Sequence, residues 1–159
     1  MIRDYWFEIV NKLIEKKQTI ATMESCTGGG IANEITNISG ASSVIKESYV
    51  TYCNEAKIKQ GVPAEVIDTY SVYSIETAAE MAKAVKKTAC SNYSIGVTGQ
   101  LGRIDPNNPE EKLNHVYYAI VDKDDNITSK EIVVTSDDRN KQNGYVINEI
   151  AKELVNIIK

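Results

Sequence analysis

The hydrophobic and polar positions of this chain follow two periodicities, which divide it into helices and strands. Apolar residues that recur three and four positions apart predict four helices, over 5–17, 28–37, 74–89 and 138–159. Short runs rich in β-branched residues predict five strands, over 19–23, 44–52, 93–98, 116–121 and 127–135. Two shorter helices are expected as well, one over 54–59 and one opened by Pro63.

The order of these elements predicts the fold class. Helices and strands alternate through the first two-thirds of the chain, and the polar turn 122–126 joins the last two strands as a hairpin. We therefore expect an α/β protein, a three-layer sandwich with a mixed sheet, a C-terminal β-hairpin and a closing helix. Because no repeat, linker or low-complexity segment interrupts the pattern, we expect one domain over 1–159.

Net charge and hydropathy argue against nucleic acid and membranes as partners of this protein. The 159 residues include 18 basic and 22 acidic side chains, which gives a formal net charge of −4. A general binder of nucleic acid or of an anionic membrane would carry a basic surplus, so neither partner is expected. No apolar run reaches the length of a membrane span, and the first residues lack the core of a signal peptide. We expect a cytoplasmic protein.

The cysteines and the histidine show no metal-binding spacing. The three cysteines, Cys26, Cys53 and Cys90, are far apart and odd in number, which indicates reduced thiols rather than a disulfide framework. Since there is neither a C-x-x-C nor an H-x-x-x-H pattern, we expect no structural zinc site. A Ser-His-Asp triad would have to use the single histidine, His115, and no spacing supports it.

The turn between the first strand and the second helix is the first candidate for chemistry. Its sequence is Ser-Cys-Thr-Gly-Gly-Gly over 25–30. Free backbone amides and the helix dipole would favour negative charge there. The turn could thus bind a phosphate, or stabilise the oxyanion formed when Ser25 attacks a carbonyl group. Equally, it could be a Gly-rich connection whose serine only caps the helix, and the local sequence leaves both interpretations open.

Polar side chains at two other strand ends extend this candidate site. If the first three strands are parallel neighbours, Ser25, Tyr52 and Thr98 meet at one edge of the sheet. With Asn54 as N-cap, Lys57 falls in the first turn of a helix, where the dipole and burial should lower its pKa. A lysine with a lowered pKa can act as general base toward a serine hydroxyl, with Tyr52 relaying the proton or orienting the amine. The alternative is a solvated lysine and a tyrosine at the edge of the core.

Three segments together resemble a known family. They are Thr-Met-Glu-Ser-Cys-Thr-Gly-Gly at 22–29, Ser-Gly-Ala-Ser-Ser at 39–43, and Val-Thr-Tyr-Cys-Asn-Glu-Ala-Lys at 50–57. They resemble the CinA C-terminal domain family, whose characterised members are nicotinamide-nucleotide amidohydrolases. The similarity continues through 61–62, the helix after Ser74, the strand end 97–99 and the pair Asp138-Arg139, so it spans nearly the whole chain.

The resemblance implies an activity and a set of site residues. The activity is hydrolysis of nicotinamide mononucleotide to nicotinic acid mononucleotide and ammonia, without a metal or a cofactor. The catalytic roles would fall on Ser25, Tyr52 and Lys57. Contacts to the pyridine nucleotide would fall on six further residues, Thr27, Gly28, Gly29, Thr98, Gly99 and Arg139. The resemblance also implies a homodimer or a larger homo-oligomer.

The sequence departs from the family pattern in one region. Where the family has Ile-Ala-Gly-Pro followed by glycines, this chain has Gln-Leu-Gly-Arg-Ile-Asp-Pro over 100–106. A later Lys-Pro-Val-Gly is here Lys-Leu-Asn-His over 112–115. Bulky or charged residues in place of glycine should reshape one wall of the site. Arg103 either contacts a phosphate or carboxylate of the ligand or is a solvated loop cation.

Three other functions compete with the amidohydrolase. The altered segment from Gln100 to His115 favours a non-catalytic or retuned nucleotide-binding protein that keeps the fold. A cysteine hydrolase would use Cys26, whose thiol at a helix N-terminus should have a lowered pKa. A dehydrogenase is disfavoured because no G-x-G-x-x-G motif follows a strand.

Overall fold

A mixed five-stranded sheet forms the centre of the structure, a computed structural model that describes residues 2–108 and 112–158. Its strands are β1 (Ile20–Glu24), β2 (Ile45–Val50), β3 (Tyr93–Gly99), β4 (His115–Val121) and β5 (Ile127–Val133). Their spatial order is β2-β1-β3-β4-β5. Strand β1 runs parallel to β2 and β3, whereas β4 is antiparallel to β3 and β5. The predicted mixed sheet and terminal hairpin are confirmed.

Helices cover both faces of the sheet. They are α1 (Tyr5–Lys16), α2 (Gly30–Thr36), α3 (Asn54–Lys59), α4 (Ala64–Tyr70), α5 (Ile75–Ala89) and α6 (Arg139–Ile157). The apolar side chains of α1, α2 and α6 form one buried cluster with the sheet, and those of α4 and α5 form a second. The predicted three-layer sandwich is therefore confirmed. None of the helices in the described part of the chain has the length and apolar character needed to cross a membrane.

The central strands bury both of their faces. All five residues of β1 are buried, and successive side chains alternate between the two clusters, with Ile20 in one and Ala21 in the other. At the edge of the sheet, β2 alternates between half-buried and exposed residues. The polar sequence of β2 fits this edge position, and the apolar sequences of β1 and β3 fit the centre.

A glycine at the centre of β3 sets the distance between the sheet and α5. A Cβ atom on Gly96 would lie 2.3 Å from the carbonyl oxygen of Ala78 and 2.6 Å from the amide nitrogen of Ala82. Both are backbone atoms of α5, so the helix could not keep its position over a larger residue. This close approach holds α5 against the sheet. The helix begins after Ser74, whose hydroxyl accepts a hydrogen bond from the amide of Thr77, so the predicted N-cap is confirmed.

Several predicted boundaries differ from the structure. Helix α2 begins at Gly30 rather than at 28, because Gly28 and Gly29 have φ values of +60° and +91°. The N-cap of α3 is Cys53, so the prediction of Asn54 as the cap is wrong. Asn54 instead donates from Nδ2 to Oδ1 of Asn108 at 3.0 Å. Strand β2 ends at Val50, and the predicted end of the last helix at 159 lies outside the described residues.

Candidate active site

Three parallel strands end at one edge of the sheet and bring distant polar segments together. Glu24 at the end of β1 pairs with Val50 of β2 and with Val97 of β3. Ser25 follows β1 directly, and its amide donates to the carbonyl oxygen of Val97 at 3.0 Å. Thr51 follows β2, and its amide donates to the carbonyl oxygen of Glu24 at 2.8 Å. The predicted meeting of the strand ends is confirmed. It places Ser25, at the end of β1, between the ends of β2 and β3.

Ser25 and Lys57 are in direct contact at this edge. Nζ of Lys57 lies 3.1 Å from Oγ of Ser25 and donates to the carbonyl oxygen of Thr51 at 2.7 Å. Ser25 is 7% exposed and Lys57 is 2% exposed. An amine in hydrogen-bond contact with a serine hydroxyl, both shielded from bulk water, is the arrangement of a nucleophile and its general base.

Burial gives Lys57 the pKa that a base needs. It lowers the pKa of the Lys57 amine from 10.5 to about 8, although electrostatic interactions with Cys26, Cys53 and Asp105 oppose the shift. The predicted direction is confirmed, but its main cause is removal of the amine from water. With Cys53 as the cap, Lys57 is the fourth residue of α3, beyond the first three amides. Near pH 8, about half of the amine is unprotonated and can accept a proton.

A buried carboxylate organises the turn that carries Ser25. Glu24 is fully buried, and its carboxylate accepts from the amides of Ile31 and Ala32 at 2.9 and 3.0 Å. It also accepts from the hydroxyl of Thr27 at 2.7 Å. The protein's own anion thus occupies the N-terminus of α2. The amides of Ile31 and Ala32 are therefore not free for a ligand, and a carboxylate just before a Gly-rich turn was the signal for this cap.

Ser25 faces a cavity of about 290 Å³. Ser25, Cys26 and Tyr52 line it, together with Tyr73 and several residues of the segment 99–105. A second cavity of about 580 Å³ is lined by residues 52–55 and by Asp105, Asn107 and Asn108. Because Tyr52 and Asp105 line both cavities, the two adjoin each other. Together they have the size range of a small-molecule site.

Tyr52 lines the Ser25 cavity, and Arg139 contacts two of the residues that line it. Tyr52 is 65% exposed, and its hydroxyl lies 3.4 Å from Nη2 of Arg139. The same Nη2 donates to the carbonyl oxygen of Cys26 at 2.8 Å. In the described chain, the Tyr52 hydroxyl makes no hydrogen bond to Ser25 or to Lys57. The structure therefore brings Tyr52 to the cavity but not into the Ser25–Lys57 pair, and it adds Arg139 from the start of α6.

The other predicted contact residues have structural partners. The hydroxyl of Thr98 is fully buried and donates to the carbonyl oxygen of Val72 at 3.0 Å. A Cβ on Gly99 would lie 2.8 Å from backbone atoms of β4, although Gly99 does line the Ser25 cavity. Gly28 and Gly29 form the left-handed turn before α2, and the Thr27 hydroxyl is bound to Glu24. A ligand contact by these residues stays a prediction.

The competing nucleophiles have unfavourable surroundings. Burial raises the pKa of the Cys26 thiol to about 12, so the expected lowering is wrong and the thiolate is scarce at neutral pH. His115 contacts Glu131 on β5 rather than Ser25. Within residues 2–108 and 112–158, no group of three or more histidine, cysteine or acidic residues is placed to hold a metal ion.

A carboxylate that the sequence interpretation did not single out lines both cavities. Oδ2 of Asp105 accepts from the Tyr73 hydroxyl and from Nδ2 of Asn108, each at 2.9 Å. Oδ1 accepts from the Asn107 amide at 2.9 Å. The hydrogen bond from Asn108 is the main cause that lowers the pKa of Asp105. An aspartate two residues before an asparagine, in a Pro-containing turn, was the available signal for such a fixed carboxylate.

Comparisons with known sequences find one family. A family model described as the CinA C-terminal domain matches residues 5–157. A putative competence-damage inducible protein from Clostridium acetobutylicum is 39% identical over 149 residues, which are 91% of this chain and 36% of the relative. A CinA-like protein from Flavobacterium psychrophilum is 47% identical over 96 residues, which are 59% of this chain and 23% of the relative. The chain thus spans about a third or less of the length of these relatives.

Solved structures have the same fold. A competence/damage inducible protein from Agrobacterium tumefaciens superposes with a TM-score of 0.85 at 26% identity, covering 100% of this chain and 99% of that chain. A competence or damage-inducible protein from Enterobacter asburiae gives a TM-score of 0.89 at 19% identity, covering 98% and 96%. At the lower identity the likeness concerns the fold alone.

Proposed function

This chain belongs to the CinA C-terminal domain family, and on that premise we propose that it is a nicotinamide-nucleotide amidohydrolase. It would convert nicotinamide mononucleotide to nicotinic acid mononucleotide and ammonia. The observation that supports this most directly is the 3.1 Å contact between the buried Lys57 amine and the Ser25 hydroxyl. An activated serine in a cavity of about 290 Å³ suits attack on the carboxamide of a single aromatic ring.

The first half of the reaction forms an ester on Ser25. Neutral Lys57 accepts the hydroxyl proton while Oγ attacks the carboxamide carbon, and the carbonyl electron pair moves onto its oxygen. The new ammonium group of Lys57 then donates its proton to the nitrogen of the collapsing intermediate. The carbon–nitrogen bond breaks, ammonia leaves, and the nicotinoyl group stays on Oγ. The carbonyl oxygen of Thr51 holds one N–H of the amine, which leaves its lone pair for Ser25.

The second half returns the enzyme to its starting state. A water molecule takes the place of ammonia and loses a proton to Lys57 as it attacks the ester carbon. The intermediate expels Oγ of Ser25, which recovers a proton from Lys57, and the product leaves as a carboxylic acid that ionises. Positive charge on Lys57 favours both anionic intermediates.

Arg139 and the turn at Tyr52 suit the nucleotide part of the substrate. Arg139 places its guanidinium beside the exposed hydroxyl of Tyr52, a residue that lines the Ser25 cavity. A guanidinium there can pair with a phosphate, and Arg103 lines the same cavity. We assign Tyr52 to substrate contact rather than to proton transfer, since its hydroxyl contacts Arg139.

A nucleotide-binding protein without turnover is the second candidate. The observation that favours it is the altered segment 100–115, part of which lines the cavity where a substrate would have to enter, through Gln100, Leu101, Arg103, Ile104 and Asp105. Such a protein would be stabilised by nicotinamide mononucleotide and would release no ammonia from it.

Ammonia release from nicotinamide mononucleotide separates the candidates. We expect the wild type and Cys26→Ala to be active, and Ser25→Ala and Lys57→Met to lose at least about 10³-fold in kcat/KM. Lys59→Met, an exposed lysine of the same helix, is the matched control and should keep its activity. Activity should rise with pH through a value near 8, because Lys57 must be unprotonated to accept the serine proton. Undiminished release by Ser25→Ala would rule out the mechanism.

Two broader expectations stay predictions. We expect the protein to be cytoplasmic and to form a homodimer or a larger homo-oligomer. Sedimentation of the purified protein measures the second, and a monomer at all concentrations would contradict it.

A further inference from the structure

The proposed substrate differs in charge from free nicotinamide. Attachment of ribose to the ring nitrogen makes that nitrogen quaternary, so the pyridine ring of the mononucleotide carries a positive charge that free nicotinamide lacks. The carboxamide that Ser25 would attack is bonded to the same ring. A cavity that admits the carboxamide must therefore also accommodate the ring charge, and its side chains decide whether that charge is favoured.

Asp105 is placed to interact with that charge. Of the described residues that line the Ser25 cavity, Asp105 is the one carboxylate. Three hydrogen bonds, from Tyr73, Asn108 and the Asn107 amide, fix its orientation. A carboxylate held by its neighbours needs little reorganisation when a cation binds, so its attraction is retained in the complex.

Aromatic rings at the same cavity add to this preference. Tyr52 and Tyr73 both line it, and the Tyr73 hydroxyl is bound to Asp105. A cationic ring that stacks on a tyrosine face gains an electrostatic attraction that a neutral ring lacks. A quaternary nitrogen has no N–H to donate, so a carboxylate and aromatic faces are the groups that recognise it.

The three positive side chains near the cavity do not cancel the attraction of Asp105 for a cationic ring. Above its pKa of about 8, in the form proposed to act as a base, Lys57 is neutral. Arg139 donates to the Cys26 carbonyl oxygen, and Arg103 is exposed. These two cations suit the phosphate of the substrate, so the site has opposite charges for the two ends of a zwitterion.

We infer that Asp105 makes the Ser25 cavity selective for positively charged, N-substituted pyridine carboxamides over neutral nicotinamide. The inference rests on the proposed function for its biological meaning, but recognition of the ring charge can be measured without turnover. Asp105 lies in the segment where this sequence departs from the family pattern, so the preference belongs to this chain's own residues.

Calorimetric titration of the Ser25→Ala variant at pH 9, where Lys57 is mostly neutral, tests this selectivity in the absence of hydrolysis. The ligands are 1-methylnicotinamide, a cation, and nicotinamide, which has the same ring and carboxamide without the charge. We expect the cation to bind more tightly. Adding Asp105→Asn should weaken the binding of 1-methylnicotinamide about 10-fold and change the affinity for nicotinamide less than about twofold. Adding Asp105→Glu, which keeps the charge, should retain the preference.

Controls separate recognition from folding and from catalysis. Asp68→Asn, at an exposed position of α4, should leave both affinities unchanged. Thermal unfolding of each variant checks that the loop change has not disrupted the protein. Three results would overturn the inference. They are equal affinity for the two ligands, an equal loss of affinity for both ligands with Asp105→Asn, and no binding of either ligand. Failure of the wild type to release ammonia, with selectivity intact, would overturn the proposed function alone.

Discussion

Lys57 is buried beside Ser25 without a carboxylate in contact. Among the described residues, its hydrogen-bond partners are the Ser25 hydroxyl and the Thr51 carbonyl oxygen, and no ion pair includes it. A buried cation with neutral partners destabilises the folded state whenever it is protonated. The burial that lowers the pKa of Lys57, and so suits it to the proposed role of a base, therefore lowers the stability of the protein.

Replacement of Lys57 by methionine should stabilise the protein at pH 7 by about 1–3 kcal/mol. The folded-state pKa of about 8 lies below the ordinary value of 10.5, so the unfolded chain binds more protons between these values. Wild-type stability then rises with pH across that window. The advantage of Lys57→Met should be complete below pH 8 and disappear above about pH 10.5.

Urea unfolding at a series of pH values measures this difference, and Lys59→Met is again the control. Because Lys59 is exposed, its replacement should change the free energy of unfolding by less than about 0.5 kcal/mol at every pH. A Lys57→Met variant that is less stable than the wild type by the same amount at pH 7 and pH 10.5 would contradict the assignment of a lowered pKa.

At the scale of elements, the junction of β1 and α2 depends on Glu24. Its carboxylate satisfies the amides of Ile31 and Ala32 at the start of a helix of only seven residues. Such a short helix has little stability of its own, so its position depends on this cap and on packing. Ser25 is the next residue in the chain, and its geometry depends on the same junction.

Glu24→Gln should destabilise the protein by about 2–4 kcal/mol and lower kcat/KM. Glutamine keeps the shape but has one acceptor oxygen, and its NH₂ group would face donors that the carboxylate now satisfies. Denaturant unfolding and the ammonia assay measure the two effects. Glu34→Gln, at an exposed position of α2, should be close to the wild type in both. Equal stability of the two variants would show that Glu24 does not hold the junction.

At the scale of the whole molecule, the strand order determines where the site forms. Strand β1 lies between two parallel neighbours, β2 and β3, so three chain segments leave the sheet at one edge. Helix α5 packs closely over β3 because Gly96 has no side chain. The two apolar layers fix these distances, which in turn fix the cavity beside Ser25.

Two glycine-to-alanine variants should change stability in opposite directions. Gly96→Ala should destabilise by at least about 2 kcal/mol, since its Cβ would overlap backbone atoms of α5 that cannot rotate away. Gly144→Ala, inside α6, should stabilise by about 0.5–1 kcal/mol, because its Cβ would meet no atom within 4 Å and alanine favours a helix. Chemical denaturation measures both, and a neutral Gly96→Ala would contradict the close packing of α5 on the sheet.

The sequence by itself determined the elements and their order. The spacing of apolar residues along α1, α5 and α6, and the β-branched runs of the strands, are local properties that follow from the two backbone periodicities. Family resemblance pointed to Ser25 and Lys57, and the polar strand ends indicated the edge of the sheet where they meet. The boundaries shifted where a turn required a left-handed backbone, as at Gly28 and Gly29.

Only the tertiary structure decided how the site is assembled. The burial of Lys57, the capping of α2 by Glu24 and the contact of Tyr52 with Arg139 each depend on packing between segments. Ser25 and Lys57 are 32 positions apart, and Tyr52 and Arg139 are 87 apart. A hydrophobic pattern reports which face of an element is buried, whereas side-chain contacts and pKa shifts depend on the neighbours that packing brings to that face.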